Sequence, residues 1–210
     1  MRNWFDPEAP VMRFLTKVMD LILLNLCFLI SCIPVITIGA ALTALFSVAL
    51  KMVRNEEGAV VGSYWDSWRA NLKQGAGAFL GAAFLAAALY FDLLMTQRME
   101  GAGLLQNALL IVICVLATLI ASCLLFLFPY IARFTDTLFT SVVNAGKLAA
   151  MHPIYTIVAL AVLSGLAVLT FWSDLTMIWM VFFWLLLGFA LCAYVQSAFL
   201  RTFFDPLEHE

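Results

Sequence analysis

The side chains of this chain that could do chemistry are few and far apart. Asn25 stands near the middle of an apolar run, Asp20 follows Lys17 by three residues, Asp92 lies towards the end of another run, and His152 precedes Pro153. A polar or ionisable residue inside a membrane span is a candidate for function because burying it there is costly. Each also has a plainer reading. Lys17 and Asp20 have the spacing of an ion pair on one helix face near a membrane surface, and Asp92 falls where water is within reach. Asn25 is placed to hydrogen-bond backbone freed by the helix break at Ile33 to Ile38, or Thr37, so a structural clamp is favoured over a ligand contact. Asn25 and Thr37 are the candidate ligand-binding pair. His152 and His209 have no Cys, Asp or Glu at metal-ligand spacing, so no metal site and no cofactor are expected. No GxSxG, HExxH, P-loop or dinucleotide fingerprint occurs, and Ser122, Ser164 and Ser197 have no His or Lys at their expected depth. The expectation is a protein that is not an enzyme. Nor does an acidic residue fall at the bilayer midplane, which counts against an ion-driven carrier.

The elements that must hold these residues follow from composition. Of the 210 residues 65% are hydrophobic and 11% charged, with a mean hydropathy of +1.03, whereas soluble domains carry about 25% charged residues. The chain therefore reads as an all-α, polytopic membrane bundle in a single domain. Its five cysteines (Cys27, Cys32, Cys114, Cys123, Cys192) sit in apolar runs without CxxC spacing and read as small buried hydrophobes. A net charge of -2 argues against nucleic acid as a partner. The opening MRNWFDPEAP is acidic and polar where a signal peptide is basic and then apolar, so a retained N-terminus is expected.

The stretch from Leu21 to Leu50 contains no charge. As one helix it would be ~45 Å long against a hydrocarbon core of ~30 Å. Pro34 removes a donor and pushes its predecessor out of α geometry, and Gly39 is suited to a sharp reversal, so the two form a structural turn. The predicted spans are 11–32, 38–53, 75–97, 103–129, 152–172 and 175–200, with Pro129 ending or kinking the fourth. The second is short for a crossing, which implies a thinned bilayer or a hairpin packed inside protein. Counting basic residues supports six spans over five. Six place Arg2, Arg13, Lys17, Lys51, Arg54, Arg69, Lys73, Arg133, Lys147 and Arg201 on one side and Arg98 on the other. Both termini are then expected in the cytoplasm.

Two connections show helical periodicity. In the segment 61–74, Val61, Tyr64, Trp65, Trp68 and Leu72 share one face, with Asp66, Arg69 and Lys73 elsewhere, the pattern of an amphipathic helix with aromatic rings at headgroup depth. In 135–150, Leu138, Phe139, Val142 and Gly146 oppose Asp136, Thr140, Asn144 and Lys147. Trp65, Trp68, Arg69, Asn71, Lys73, Asn144 and Lys147 are thus candidates for docking a partner. The repeated Asn and Lys suggest duplication only weakly, since short surface helices of similar composition arise easily. Gly77 and Gly81 form a small-residue row for helix packing, read as internal rather than as a homodimer seam.

The run Asp20-Leu21, Leu24-Asn25-Leu26, IPVITIG (Ile33 to Gly39), Thr43-Ala44-Leu45, RNEEG (Arg54 to Gly58) and WDSWRANLKQ (Trp65 to Gln74) resembles the YesL-like family of bacterial membrane proteins, a domain of unknown function. Ala40 departs from the pattern, where the family often has a second proline. The resemblance implies the bacterial cytoplasmic membrane and a carbohydrate-utilisation context, and no biochemical activity. The expected function is an accessory or scaffold subunit that meets the permease, ATPase or sensor subunits of a sugar-uptake system. A stand-alone small-solute facilitator, with a path past Asn25 and Thr37, is the alternative.

Overall fold

The computed structural model describes residues 10–56, 58–99 and 103–204, which are helical almost throughout. The expected cytoplasmic termini, the N-terminal segment and His209 lie outside the described residues. In chain order the helices are α1 (Pro10–Ser31), α2 (Ile38–Arg54), α3 (Val60–Ala70), α4 (Leu72–Gln97), α5 (Gly103–Arg133), α6 (Leu138–Met151), α7 (Pro153–Thr170), α8 (Asp174–Phe183) and α9 (Phe189–Phe204). A π turn, Trp184–Gly188, joins α8 to α9 without a break, giving one 31-residue helix. Among the described residues six helices are long and apolar enough to cross a membrane: α1, α2, α4, α5, α7 and the joined α8–α9. The expected all-α polytopic bundle is what the chain forms.

Local chemistry explains the boundaries. After α1 the chain turns at Pro34 and makes a short 3-10 turn, Val35–Thr37, before α2 begins at Ile38. The predicted break at Ile33 to Ile38 is therefore present. Gly39, however, lies within α2 and is not part of the reversal. α2 ends on Asn55 in the left-handed conformation (φ 55°), which asparagine tolerates better than most residues. Thr137 and Ser173 accept hydrogen bonds from backbone N–H groups at the starts of α6 and α8, and Pro153 opens α7 where its missing donor costs nothing. The predicted helix 61–74 stops earlier, at Ala70: Asn71 leaves α geometry (φ -101°, ψ 9°), and its carboxamide reaches back to the Ser67 carbonyl at 2.9 Å.

Of the helices able to cross, α2 is the most enclosed by protein: Ala40, Ala41, Ala44, Ala49 and Met52 have no exposure at all. Its N-terminal end meets the start of α4 at Gly39 and Gly75, and its C-terminal end meets α9, where Arg201 Nη1 donates to the Val53 carbonyl at 3.5 Å. The short second helix is thus accommodated by packing within protein, one of the two solutions its length implies. A Cβ added to Gly39 would lie 1.9 Å from the Gly75 carbonyl oxygen, and one added to Gly75 would lie 2.6 Å from the Ala40 nitrogen. Close backbone approach is what Gly39 provides. The predicted packing row is only partly used: Gly77 faces Leu138 of α6, whereas Gly81 has nothing within 4 Å.

The aromatic face of α3, expected to lie at headgroup depth, has protein partners. Its apolar face is turned into the protein against α1 and α2. Tyr64 is fully buried, and Trp65 and Trp68 pack on the core and edge-on to one another. α6 keeps a mixed character, with Ser141, Ala145 and Leu148 buried and Phe139, Val142 and Met151 exposed. Among the cysteines Cys27 is buried, Cys32, Cys123 and Cys192 are half-buried and Cys114 is exposed on α5, so the expectation of uniformly buried thiols fails at Cys114.

Candidate functional site

The polar residues at depth converge on places where a helix is interrupted. In a medium without water, a backbone group without its helical partner must find another donor or acceptor, or bear a desolvation cost of several kcal/mol. Three such places among the described residues are closed by side chains of this chain.

The first is the turn between α1 and α2. Thr37 Oγ1 lies 2.7 Å from the carbonyl oxygens of both Ser31 and Pro34, serving groups left over at the end of α1. Tyr64 reaches the same region from α3. Its hydroxyl is hydrogen-bonded to Ser31 Oγ and lies 3.5 Å from the Ala41 carbonyl. Burial raises the Tyr64 phenol well above its ordinary pKa, against the opposing effect of the Ser31 hydrogen bond, so it stays neutral. At the other end of the hairpin, Lys17 Nζ donates to Asn55 Oδ1 at 2.8 Å.

The second interruption is the π turn in the last span. Asn25, with no exposure, projects from α1 into it. Its Nδ2 donates to the carbonyls of Trp184 (3.0 Å) and Leu185 (2.8 Å), and its Oδ1 accepts from the Ala190 N–H at 3.0 Å. Contrary to the expectation from the sequence, the Asn25 side chain serves neither the break at Ile33 to Ile38 nor Thr37. It clamps a different helix, distant in the chain. Around the clamp, Phe28 packs on Phe189 (centroids 5.2 Å), and Trp184 Nε1 donates to Thr170 Oγ1 at 3.1 Å. Gly188 leaves room for the Trp184 indole, whose Cε3 would lie 2.6 Å from an added Cβ.

The third lies in α5. Of the two outcomes Pro129 allows, an end or a kink, the end does not occur: α5 continues through it to Arg133. Proline cannot donate to the carbonyl four residues earlier, which here is that of Leu125. Gln196 of α9 supplies the missing donor, its Nε2 standing 2.9 Å from the Leu125 oxygen. Sequence reasoning missed Gln196. The available signal was a Pro inside an apolar run, which demands a donor, and a lone carboxamide in another run, which can supply one.

Near the end of α5 a polar cluster ties α4, α5 and α6. Tyr130 Oη donates to Asp136 Oδ2 at 2.6 Å and accepts from Asn144 Nδ2 at 2.8 Å; Gln74 Nε2 donates to the Asp136 carbonyl at 3.0 Å and reaches Ser141 Oγ at 3.3 Å. Beside it Phe134 stacks on Tyr130, and the Arg133 guanidinium lies 5.5 Å from the Phe204 ring centroid. The candidate docking residues divide accordingly. Arg69, Lys73 and Lys147 are exposed; Trp65, Trp68, Asn71 and Asn144 are turned to internal contacts. Asn71 bonds its own helix and Asn144 another, so the two connections are built differently. Of the serines weighed as nucleophiles, Ser122 and Ser164 donate to carbonyls of their own helices, and Ser197 is buried with its hydroxyl unpaired.

Residues 21–93 match the family described as "Protein of unknown function, DUF624". The match takes in Asn25, the turn at Pro34, Tyr64 and the Gly39–Gly75 crossing, and it ends inside α4, before the π turn that Asn25 holds. No curated protein and no solved structure matches the chain.

Proposed function

We propose that this chain is a non-enzymatic accessory or scaffold subunit of the bacterial cytoplasmic membrane that works beside a carbohydrate importer or its sensing system. The observation carrying this reading is that the polar side chains at the helix interruptions are taken up by the chain's own backbone. Transporters built on broken helices leave unwound backbone open to a substrate held in a cavity. Asn25 instead makes two hydrogen bonds to the π turn and one to Ala190 just after it, and the one Thr37 hydroxyl lies between two carbonyls of the α1–α2 turn. Such closure suits a rigid frame better than a moving carrier. The carbohydrate context rests on the resemblance to YesL-like proteins. Arg69, Lys73 and Lys147 are the exposed groups through which permease, ATPase or sensor subunits would be met.

A stand-alone solute facilitator is the second reading, favoured by the presence of interrupted helices and weakened by their closure. Two measurements separate the readings: mass spectrometry of complexes purified in mild detergent, and sugar flux into proteoliposomes holding the purified protein. Co-purification with importer or sensor subunits and flux no greater than in empty liposomes is expected. Uptake by the protein alone would overturn the scaffold reading in favour of the facilitator.

A further inference from the structure

α7 and α9 leave a groove of about 760 Å3 between them. One wall carries Val158, Val162 and Leu163 of α7, and the facing wall Leu191, Val195 and Phe199 of α9. We propose that this groove is a binding site for one acyl chain of a bilayer phospholipid, with the headgroup at the His152 end.

Three features lead to this occupant. The groove is continuous with the lipid-facing surface, because Val158, Val195 and Phe199 line it while remaining about half exposed on two helices able to cross a membrane. Its walls do not suit another helix. Transmembrane helices approach closely along rows of Gly, Ala, Ser or Thr, and here Ala159 is flanked in the wall by Val158, Val162 and Leu163. A flexible chain can follow such an uneven surface closely. Finally, one end of the groove is polar and the other apolar, Gln196 in the wall between them giving its amide to the Leu125 carbonyl. His152, its ring stacked on Phe203 at 3.9 Å, sits where α6 passes into α7, whereas Leu166 and Phe183 close the far end. An amphiphile with one polar terminus matches that polarity. The α9 wall depends on the Asn25 clamp, since relaxing the π turn would rotate α9 and present other side chains to the groove.

The test uses the full-length protein, washed extensively in detergent and weighed by native mass spectrometry. Wild type is expected to retain one phospholipid. Ala159→Trp, which fills the groove, should lower that retention severalfold, whereas Leu80→Trp on the exposed face of α4 should not. Wild type that carries no lipid after washing, or equal retention in the two variants, would overturn the proposal, the latter meaning annular lipid only. A second measurement needs no variant. A phospholipid with a photoreactive acyl chain, cross-linked to wild type in vesicles, should label groove residues of α7 and α9 well above the exposed faces of α4 and α5. Labelling spread evenly over all lipid-facing helices would equally defeat the proposal.

Discussion

Gln196 and Pro129 form a pair whose members make sense only together. Gln196 donates to the carbonyl that Pro129 leaves without a partner, so the side chain matters because of the proline. Removing the donor leaves a buried acceptor unsatisfied, at a cost of about 1–3 kcal/mol. Gln196→Leu alone is therefore expected to lower stability by about that much, whereas the same change in a Pro129→Ala background should cost far less, because the introduced alanine restores the helical N–H. A double-mutant cycle, read from reversible unfolding in detergent micelles, measures the coupling directly. Equal costs in both backgrounds would show that Gln196 acts through packing alone. Nothing in the local sequence joins these residues, which belong to different spans; Pro129 announces a defect but not its remedy.

Among the elements, the joined α8–α9 helix shows how a neighbour sets local geometry. The stretch WLLLG is uniformly apolar apart from its glycine, and its periodicity gives no sign of a π turn. The extra residue is held by Asn25, whose carboxamide is both donor and acceptor. Asn25→Ala would orphan groups of the π turn and is expected to cost roughly 2–5 kcal/mol. Hydrogen exchange should speed up at the Ala190 amide more than elsewhere in α9. An unchanged exchange rate at Ala190 would mean that the turn is intrinsic to α8–α9. The polarity and depth of Asn25 were legible in the sequence; its partner was not, because hydrogen-bonding capacity says nothing about direction in space. A similar limit applies to α3. Its amphipathic period was plain, but lipid and protein reward the same apolar face, so periodicity alone could not tell that Tyr64, Trp65 and Trp68 turn into the core.

For the molecule as a whole, we expect from the ten-to-one division of basic residues that the α2–α3 and α5–α6 connections lie on the cytoplasmic side. In a cysteine-free background, single cysteines at the exposed positions Glu56 and Thr140 should stay unlabelled by a membrane-impermeant maleimide added to intact cells, whereas one at Arg98 should react. Labelling at Glu56 or Thr140 from outside would reverse the topology and remove the proposed cytoplasmic contacts of Arg69, Lys73 and Lys147. By itself the sequence determined the membrane class, the number of helices able to cross and the break at Pro34, because hydropathy, helix length and proline geometry act within a single segment. Only the tertiary structure decided that α2 is enclosed, that Gly39 serves a backbone crossing with Gly75, and which interruption each amide closes. Those outcomes depend on which surfaces meet across long separations in the chain, and short-range hydrogen bonds and van der Waals contacts can select a partner only once the helices are packed.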